Sequence, residues 1–479
     1  MEIKLFNNLT RQKETFNPIT PNTVKFYSCG PTTYDFLHVG NARALVVGDL
    51  IHRIFKTLGY NVNFVRNYTD VDDKIIDRAR EMKADAIEYA ARFVKECEAD
   101  MNSLAMLPAT HTPKVSETMP EIISMIEDLI KNGYGYVVDG EVLYHVPKFT
   151  SYGKLSKVHL ESLQHGIRVE VEGHKKHPSD FVLWKPAKIG EPSWDSPWGK
   201  GRPGWHIECS AMAKKWLGAT IDLHHGGVDL QFPHHENEIA QSEAANGCEF
   251  CHSWAHNEFL NFGSEKMSKS LGNVVTIRKF VETYSGKILR HILLSVHYRS
   301  KLDWTEDSIS KAIGEMERIH EFAQLLSSSH AAALNDQDEV KKVIETIESI
   351  KLELANDFNV PGAMGLFFGV IKDFNRLIKL GVSSSYLNAV NECVNLIKFS
   401  TGLVHDHPEK VLAELNHARK NLSGNSSSND SEIEALIAQR KEARATKNWG
   451  RSDEIRNRLN ELGVVVKDNP DGSVSWSYK

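Results

Sequence analysis

The sequence predicts an α/β protein in which a parallel sheet carries the functional site and a helical region follows it. Three observations support this prediction. A strand–helix–strand pattern spans residues 23–67, helical spacing of apolar residues dominates after residue 306, and 479 residues give room for about three or four domains. We therefore expect an interrupted parallel-sheet domain, then a helical bundle, then a small C-terminal α+β module.

The strand–helix–strand pattern is read from apolar spacing. Thr23–Cys29 has the composition of a buried strand, Asn41–Leu58 places its apolar residues on one helical face, and Asn61–Asn67 alternates as a second strand. Two strands joined by a helix lie parallel in one sheet, which makes this a Rossmann-like unit. Ligands of such sheets bind beyond the carboxyl ends of the strands, so we expect a site beside Cys29 and the turn that contains His38.

The α/β pattern is interrupted once and later gives way to helices. Short strands are predicted at Tyr136–Val146 and Gly166–Glu172, within a segment that becomes rich in Pro, Gly and Trp and indicates an inserted connective domain. Ser423–Ser431 has the composition of a flexible linker, and a β-hairpin is predicted around Asp471–Gly472. The predicted segments are the first half of the Rossmann-like domain (1–119), the connective insertion (120–200), the second half with a lysine-rich loop (201–306), the helical bundle (307–422), the linker (423–431) and the C-terminal module (432–479).

Composition excludes several classes of protein. No apolar run reaches the roughly 18 residues needed to cross a membrane, and the first twenty residues lack the apolar core of a secretion signal. Six irregularly spaced cysteines indicate reduced thiols rather than a disulfide framework, so we expect a cytoplasmic protein without a membrane partner.

The net charge of −6 argues against a generic polycation, but local charge matters more for binding nucleic acid. Residues 440–458 contain seven basic and three acidic side chains, a net charge of +4. A solvated charged helix is the alternative interpretation of this segment.

Two motifs predict a nucleotide site. His38–Asn41 (HVGN) precedes the first predicted helix, where a histidine and the helix N-terminus both favour a phosphate. Lys266–Ser270 (KMSKS) follows more than 200 residues later and offers mobile cations for a departing pyrophosphate. Each motif alone has a structural interpretation, a histidine at a helix start or an exposed basic loop. Together they indicate an enzyme that splits ATP between its α and β phosphates, with catalytic residues His38, Asn41, Lys266 and Lys269.

A second group of residues has the spacing of a metal site. His234 and Glu238 lie four residues apart near the start of a predicted helix, so their side chains share one face, about 5–6 Å apart at Cβ. Cys29 and Cys209 would complete a zinc site of two thiolates, one imidazole and one carboxylate. The spacing does not decide between His234 and its neighbour His235. Buried structural cysteines and surface histidines remain the alternative.

Histidines and cysteines recur in one further region. Seven of the twenty-two histidines lie between His206 and His256, which indicates a polar pocket. Cys248–His252 matches the C-x-x-C-H pattern of haem attachment. That chemistry requires export, for which the sequence has no signal, so we favour an incidental cysteine pair.

Four longer segments, together with these motifs, resemble class I aminoacyl-tRNA synthetases and specifically the cysteinyl-tRNA synthetase family. The likeness covers essentially the whole chain. One departure is Asn41, which stands where the class I motif has its second histidine, although an asparagine amide can still donate to a phosphate. The four segments are Tyr27–Thr32 (YSCGPT), Asn67–Lys74 (NYTDVDDK), Ser196–Ser210 (SPWGKGRPGWHIECS) and Gly226–Glu238 (GGVDLQFPHHENE).

The resemblance implies an enzyme that activates L-cysteine with ATP and Mg²⁺, releases pyrophosphate, and passes cysteine to the 3′-terminal adenosine of a tRNA. It also implies one Zn²⁺ per chain, which selects cysteine because the hydroxyl of serine is a much poorer ligand in a thiolate-rich site. The implied metal ligands are Cys29, Cys209, His234 and Glu238. The implied substrate-binding residues are Thr69 and Trp205 around the cysteine, His224 and His256 in the pocket wall, and Asp229 on the ribose.

The resemblance further assigns the C-terminal module to the tRNA anticodon, with a stacking face and hydrogen-bonding groups for unstacked bases. The implied anticodon residues are Arg444, Trp449, Asp453, Arg456 and Asp468. Asn356–Pro361 resembles the helical bundle of several class I synthetases, and the family is usually monomeric. Two alternatives remain: a paralogue that joins cysteine to an amino sugar, and a catalytically silent tRNA- or zinc-binding protein. The first would lack a full C-terminal module, and the second would have lost HVGN or KMSKS.

Overall fold

The structure is a computed structural model, which describes residues 1–159, 175–262, 275–422, 430–468 and 474–478. Its strands are β1 (Lys4–Asn7), β2 (Gln12–Thr15), β3 (Thr23–Ser28), β4 (Asn61–Arg66), β5 (Gly135–Val138), β6 (Glu141–Tyr144), β7 (Phe181–Pro186), β8 (Gly201–Pro203), β9 (Ile221–Gly227), β10 (Cys251–Asn257), β11 (Leu260–Phe262), β12 (Leu302–Trp304), β13 (Val464–Asp468) and β14 (Val474–Tyr478). Its α-helices are α1 (Val39–Thr57), α2 (Asp73–Glu81), α3 (Ala86–Ser103), α4 (Met119–Lys131), α5 (Trp205–Leu217), α6 (Glu236–Asn246), α7 (Ile277–Thr283), α8 (Gly286–Leu294), α9 (Glu306–Ser328), α10 (Gln337–Ala355), α11 (Val360–Leu377), α12 (Ser384–Thr401), α13 (Pro408–Leu422), α14 (Asp430–Ala445) and α15 (Trp449–Glu461).

The central sheet has four parallel strands in the order β10–β9–β3–β4. Phe26 on β3 lies opposite Phe64 on β4, and their rings stack with centroids 4.6 Å apart. Helix α1 connects these two strands and buries Val46, Leu50 and Ile54. The predicted strand–helix–strand unit and the parallel sheet are therefore confirmed, and β9 and β10 add strands from the part of the chain after residue 220.

A second sheet is formed by residues that lie, in sequence, between β4 and β9 of the central sheet. It is antiparallel, in the order β5–β6–β7–β8. Asp180, directly before β7, accepts hydrogen bonds from the Tyr136 hydroxyl at 2.7 Å and the Val146 amide at 3.0 Å. β8 ends at Pro203, so this sheet extends beyond the predicted limit at residue 200. The predicted strand at Gly166–Glu172 lies outside the described residues.

The chain after residue 306 forms the helices α9 to α13, as the apolar spacing predicts. Ile313, Met316 and Ile319 on α9 are all buried. Arg290 on α8 is fully buried and donates to the Asp49 carboxylate of α1 at 2.6 Å and to the Thr401 carbonyl of α12 at 2.9 Å. This guanidinium therefore ties the central sheet's first helix to the helical bundle.

The C-terminal module consists of α14, α15 and the hairpin β13–β14. Ile433, Ile455, Leu459 and Val464 form its small core. The predicted hairpin is confirmed, with Asp468 opposite Val474. The predicted linker at 423–431 is too long at its end: residues 423–429 lie outside the described part of the chain, but Asp430 and Ser431 belong to α14. Asp and Ser are common at helix starts as well as in linkers, so composition did not separate the two.

Among the residues that the structure describes, each helix is too short or too polar to cross a bilayer.

Candidate active site and metal centre

A cavity of about 410 Å³ opens beyond the carboxyl ends of β3 and β9. Its wall includes five residues that the sequence analysis selected, which come from segments nearly 200 residues apart in the chain. They are Cys29, His38, Asn41, Trp205 and Asp229. The structure therefore brings the predicted nucleotide motif, one predicted metal ligand and two predicted substrate contacts into one cavity at the expected edge of the sheet.

The HVGN turn forms the N-terminus of α1, which begins two residues before the predicted start. His38 caps the helix: its Nδ1 accepts a hydrogen bond from the Asn41 amide at 3.2 Å, and Asn41 Oδ1 accepts one from the His38 amide at 3.2 Å. Because Nδ1 accepts, the neutral imidazole carries its proton on Nε2. That tautomer and the positive end of α1 both suit an anionic phosphate.

Lys266 and Lys269 lie outside the described residues, but the chain before them lines the cavity and the chain after them contacts the HVGN turn. Before them, Leu260 contributes to the cavity wall. After them, the Val275 carbonyl accepts a hydrogen bond from the Val39 amide at 3.0 Å, and the Ile277 amide donates to Leu37 at 2.8 Å. These backbone hydrogen bonds place residues 275–277, which follow the lysine-rich segment in sequence, next to the HVGN turn.

The four predicted metal ligands converge. Cys29 Sγ lies 4.0 Å from Cys209 Sγ and 3.6 Å from Glu238 Oε1, which in turn lies 3.2 Å from His234 Nε2. All four donor atoms are within 4.8 Å of one another, the spacing expected around a tetrahedral ion with bonds of about 2.0–2.3 Å. Two thiols, one imidazole and one carboxylate also form a donor set that zinc prefers, so the residues fit this ion.

The predicted helix that carries His234 and Glu238 has an unexpected start. Gln231–His235 forms a wide helical turn with an extended residue, Phe232, inside it, and α6 itself begins at Glu236. The turn and the helix still place His234 one turn before Glu238, as the spacing predicts.

Charges within the cluster compensate one another. Burial alone would raise the pKa of Glu238, but His224 and His234 outweigh it and lower that pKa to about 2. A hydrogen bond from Cys29 lowers the pKa of Cys209 to about 6, whereas burial raises that of Cys29. Burial lowers the pKa of His234, yet its bonds to Cys209 and Glu238 raise it to about 10. The pocket therefore favours a thiolate and a carboxylate next to a cation.

The spacing leaves open whether His234 or His235 is the metal ligand, and in the structure both imidazoles lie next to Cys29 and Glu238. His235 Nε2 lies 3.4 Å from Cys29 Sγ, and His224 Nε2 lies 2.9 Å from Glu238 Oε2. Cys29, His224, His235 and Glu238 therefore form a second group whose donor atoms are also within 4.8 Å of one another.

The other predicted substrate contacts surround this cluster. The Trp205 ring lies at the N-terminus of α5 with its centroid 4.4 Å from that of His234. His256 Nε2 lies 2.8 Å from His235 Nδ1, and both imidazoles are buried. His224 stacks on Trp254 with centroids 4.6 Å apart. Five histidines of the histidine-rich segment are thus buried together around the cluster, whereas His252 is exposed; the buried five are His224, His225, His234, His235 and His256.

Sequence reasoning missed Glu208 as a contributor to the site. Its buried carboxylate accepts a hydrogen bond from the Thr69 hydroxyl at 3.2 Å, and burial together with Cys209 raises its pKa well above the usual value. Asn67 Nδ2 donates to Thr69 Oγ1 at 3.3 Å. In the sequence, Glu208 could have been selected because it stands directly before Cys209 in the Ser196–Ser210 segment.

Cys248 and Cys251 have different environments. Cys248 is exposed, whereas Cys251 is buried and its thiol lies 3.1 Å from the Ser253 carbonyl. These surroundings fit an incidental pair of cysteines.

Arg444, Trp449, Asp453 and Arg456, four of the predicted anticodon residues, are exposed on the C-terminal module. Trp449 is 58% exposed, and the Arg444 guanidinium lies 5.9 Å from its ring centroid. Asp453 and Arg456 are exposed and follow Trp449 on α15 at spacings that share one helical face. The backbone of Asp468 ends β13, and its side chain lies outside the described part of the structure.

Among the other charged side chains of residues 440–458, two arginines form exposed ion pairs and one is buried. Arg451 and Arg458 form exposed pairs with Glu454 and Glu461, while Arg440 is buried. The interpretation as a solvated charged helix therefore holds for part of this segment.

Comparisons with known proteins agree with this architecture. A family model described as the class I (C) tRNA synthetase catalytic domain matches residues 15–314. The structure is similar to Mycobacterium tuberculosis methionyl-tRNA synthetase in complex with methionyl-adenylate, with a TM-score of 0.61, 14% identity, and coverage of 81% of this chain and 93% of the other. It also resembles the Agrobacterium radiobacter K84 AgnB2 LeuRS–tRNA–LeuAMS complex, with a TM-score of 0.61, 11% identity, and coverage of 84% and 86%. The fold and the site define a class I aminoacyl-tRNA synthetase.

Relatives that match over the whole chain identify the family within the class I synthetases. A model described as the cysteinyl-tRNA ligase anticodon binding domain matches residues 428–476. The chain is 44% identical to the cysteine–tRNA ligase of Geotalea uraniireducens (strain Rf4), with 100% of both chains covered. It is 43% identical to that of Halalkalibacterium halodurans, with 99% of both covered. The chain belongs to the cysteine–tRNA ligase family.

Proposed function

We propose that the chain performs the reaction of its family, the ligation of L-cysteine to tRNA, in two steps at the cavity beyond β3 and β9. ATP and cysteine first form cysteinyl-adenylate and pyrophosphate, and cysteine then passes to the 3′-terminal adenosine of a tRNA. One observation carries the proposal: Cys29, a member of the thiol-rich cluster, lines the same cavity as His38 and Asn41. The match of an anticodon-binding model to residues 428–476 favours tRNA over an amino sugar as the acceptor.

Selection of cysteine is proposed to depend on a zinc ion held by Cys29, Cys209, His234 and Glu238. When bound, Zn²⁺ supplies a soft Lewis acid that favours a thiolate over a hydroxyl ligand. The buried donors and the imidazoles packed around them exclude water from this end of the cavity. A serine would have the right size but would lack the strong interaction, so it would be rejected without an editing step.

The polar wall around the cluster is proposed to orient the amino acid. Trp205 packs on His234 and covers one side, and the Thr69 hydroxyl is held between Asn67, from which it accepts, and Glu208, to which it donates. His224 and His256 complete the wall through their bonds to Glu238 and His235.

Adenylate formation requires stabilisation of the charge that develops on the α-phosphate as the cysteine carboxylate attacks it. We assign this role to the Nε2–H of His38, to the Asn41 amide group and to the N-terminus of α1. Asp229 on the cavity wall would accept hydrogen bonds from the ribose hydroxyls. Lys266 and Lys269, outside the described residues, would neutralise the departing pyrophosphate, and Mg²⁺ would accompany ATP.

The acceptor is proposed to be a tRNA whose anticodon binds the C-terminal module. Trp449 offers an exposed stacking face, and Arg444, Asp453, Arg456 and Asp468 offer hydrogen-bonding groups for base edges. We propose that the chain acts as a monomer, as its resemblance to the family implies.

The sheets and helices also support a division of the chain into domains. We propose that 1–119 and 201–306 form one catalytic domain, since β3, β4, β9 and β10 share one sheet. The separate antiparallel sheet supports 120–200 as the inserted domain, apart from β8. Residues 307–422 would form the bundle, and 432–479 the tRNA-binding module; of the predicted linker at 423–431, Asp430 and Ser431 belong to α14.

Replacing Lys269 tests the nucleotide site directly. Lys269→Ala should lower cysteine-dependent exchange of pyrophosphate into ATP by roughly 100- to 1,000-fold, the usual effect of losing one transition-state donor. tRNA binding, measured by filter retention, should remain unchanged. Lys279→Ala is a suitable control, because Lys279 is exposed on α7 and pairs only loosely with Glu282 at 3.5 Å. Unchanged exchange in Lys269→Ala would show that the loop has another role.

A further inference from the structure

We infer that the pocket contains a second, overlapping set of metal ligands, Cys29, His224, His235 and Glu238, which binds a divalent transition metal when Cys209 is unavailable. The inference rests on the proposed metal centre, because both sets share Cys29 and Glu238. It assigns His224 and His235 a coordinating capacity in addition to their place in the pocket wall.

The geometry of the second set is comparable to that of the first. Its donor atoms are all within 4.8 Å of one another, with His235 Nε2 3.4 Å from Cys29 Sγ and His224 Nε2 2.9 Å from Glu238 Oε2. Around a tetrahedral ion with bonds of about 2.0–2.3 Å, neighbouring donors lie at similar separations. His224, His235 and Glu238 are fully buried, so the set needs little rearrangement of solvent to close around an ion.

A hydrogen bond already orients His235 as a ligand. Its Nδ1 lies 2.8 Å from His256 Nε2, and His256 is buried against Trp254. Histidines that bind metals usually donate their other N–H to a neighbouring acceptor, which fixes the tautomer and the ring orientation. With Nδ1–H donating to His256, the lone pair on His235 Nε2 faces Cys29.

Ligand chemistry decides which set an ion occupies. The first set offers two thiolates and the second only one, and zinc prefers sulfur ligands. With Cys209 intact, the ion should therefore occupy the first set. When the Cys209 thiolate is removed, an imidazole pair replaces the lost sulfur and His234, and the ion stays in the pocket with one sulfur ligand.

Cobalt(II) binding to the full chain tests this inference. The metal-free wild-type protein should bind one Co²⁺ with the sulfur-to-cobalt absorption of two thiolates. Cys209→Ala should still bind one Co²⁺, with about half of that absorption because one thiolate remains. His235→Ala should keep the two-thiolate spectrum, whereas Cys209→Ala with His235→Ala should bind Co²⁺ roughly tenfold more weakly than Cys209→Ala or worse.

The outcomes separate the two proposals. Absence of a two-thiolate spectrum in the wild-type protein would contradict the proposed metal centre itself. Equal Co²⁺ affinity in Cys209→Ala with and without His235→Ala would overturn the second set, and so would complete loss of binding in Cys209→Ala with a wild-type circular dichroism spectrum. Cys209→Ser, which keeps the shape of the side chain, replaces Cys209→Ala if the alanine variant fails to fold.

Discussion

The hydroxyl of Thr69 donates a hydrogen bond to the Glu208 carboxylate at 3.2 Å, and both side chains are buried. The chain of bonds continues through Asn67, which donates to Thr69 Oγ1 and accepts from the Gly30 amide at 2.9 Å. Gly30 approaches so closely that a Cβ there would overlap the Asn67 carbonyl. Since Gly30 follows Cys29 and Glu208 precedes Cys209, this chain links the two thiol-bearing segments.

Removing the Thr69 hydroxyl should therefore weaken cysteine binding. Thr69→Val keeps the shape but leaves the buried Glu208 carboxyl unpaired, a loss of about 1–3 kcal/mol. We expect the KM for cysteine in pyrophosphate exchange to rise roughly tenfold, with the KM for ATP unchanged. Thr69→Ser keeps the hydroxyl and serves as the matched control. An equal rise in both variants would contradict a specific role of the hydroxyl, because Thr69→Ser retains it.

His38 has two separable roles, capping α1 and donating to the phosphate. His38→Asn should preserve the cap, because asparagine is a strong N-cap residue, and stability should change little. Pyrophosphate exchange should nevertheless fall by roughly 100-fold or more, since the Nε2–H donor is lost. Thermal unfolding and exchange measured on the same sample distinguish the roles. Wild-type exchange in this variant would argue against phosphate contact by His38.

Trp449 should contribute to tRNA binding without affecting adenylate formation. A stacked base contributes about 1–3 kcal/mol, so Trp449→Ala should lower kcat/KM for tRNA about 5- to 150-fold and leave pyrophosphate exchange intact. Phe399→Ala is a close control: Phe399 is similarly exposed, and Lys398 lies 5.9 Å from its ring, the separation of Arg444 from Trp449. A comparable effect in both variants would point to general destabilisation.

The buried pair of Asp49 and Arg290 should stabilise the junction of the sheet and the bundle. Arg290→Met leaves the Asp49 carboxylate without its closest cation, so the free energy of unfolding in urea should fall by about 3–5 kcal/mol at neutral pH. Arg376→Met, at an exposed pair with Asp373, should change it by less than about 1 kcal/mol.

The same pair has a defined pH dependence. Burial alone would raise the pKa of Asp49, but Arg290 and Arg53 outweigh it and lower that pKa. A carboxyl group with a lowered folded pKa stabilises the protein above its unfolded value of about 3.9, and this contribution is lost as the pH falls further. The difference between wild type and Arg290→Met should therefore be full at pH 7 and shrink below about pH 4. A difference that grows in acid would contradict this assignment.

The sequence predicted the parts of the site that depend on local patterns. Strand β3 and helix α1 follow from apolar spacing and the HVGN turn, and Cys29, Cys209 and Glu238 were selected as candidate metal donors from short motifs. It could not choose between His234 and His235, because both are buried beside Cys29 and Glu238 and their roles depend on ring orientation. The Thr69–Glu208 bond was not predictable either, since 139 residues separate the partners and only the packing of α5 against the sheet brings them together.

The central claim is that the chain charges tRNA with cysteine and selects it through a thiol-binding metal. The most direct test is incorporation of labelled cysteine or serine into bulk tRNA with ATP and Mg²⁺, before and after removal and return of Zn²⁺. We expect charging with cysteine only, loss of charging when the metal is removed, and recovery when Zn²⁺ is restored. Comparable charging with serine, or undiminished cysteine charging by protein shown to be metal-free, would contradict the claim.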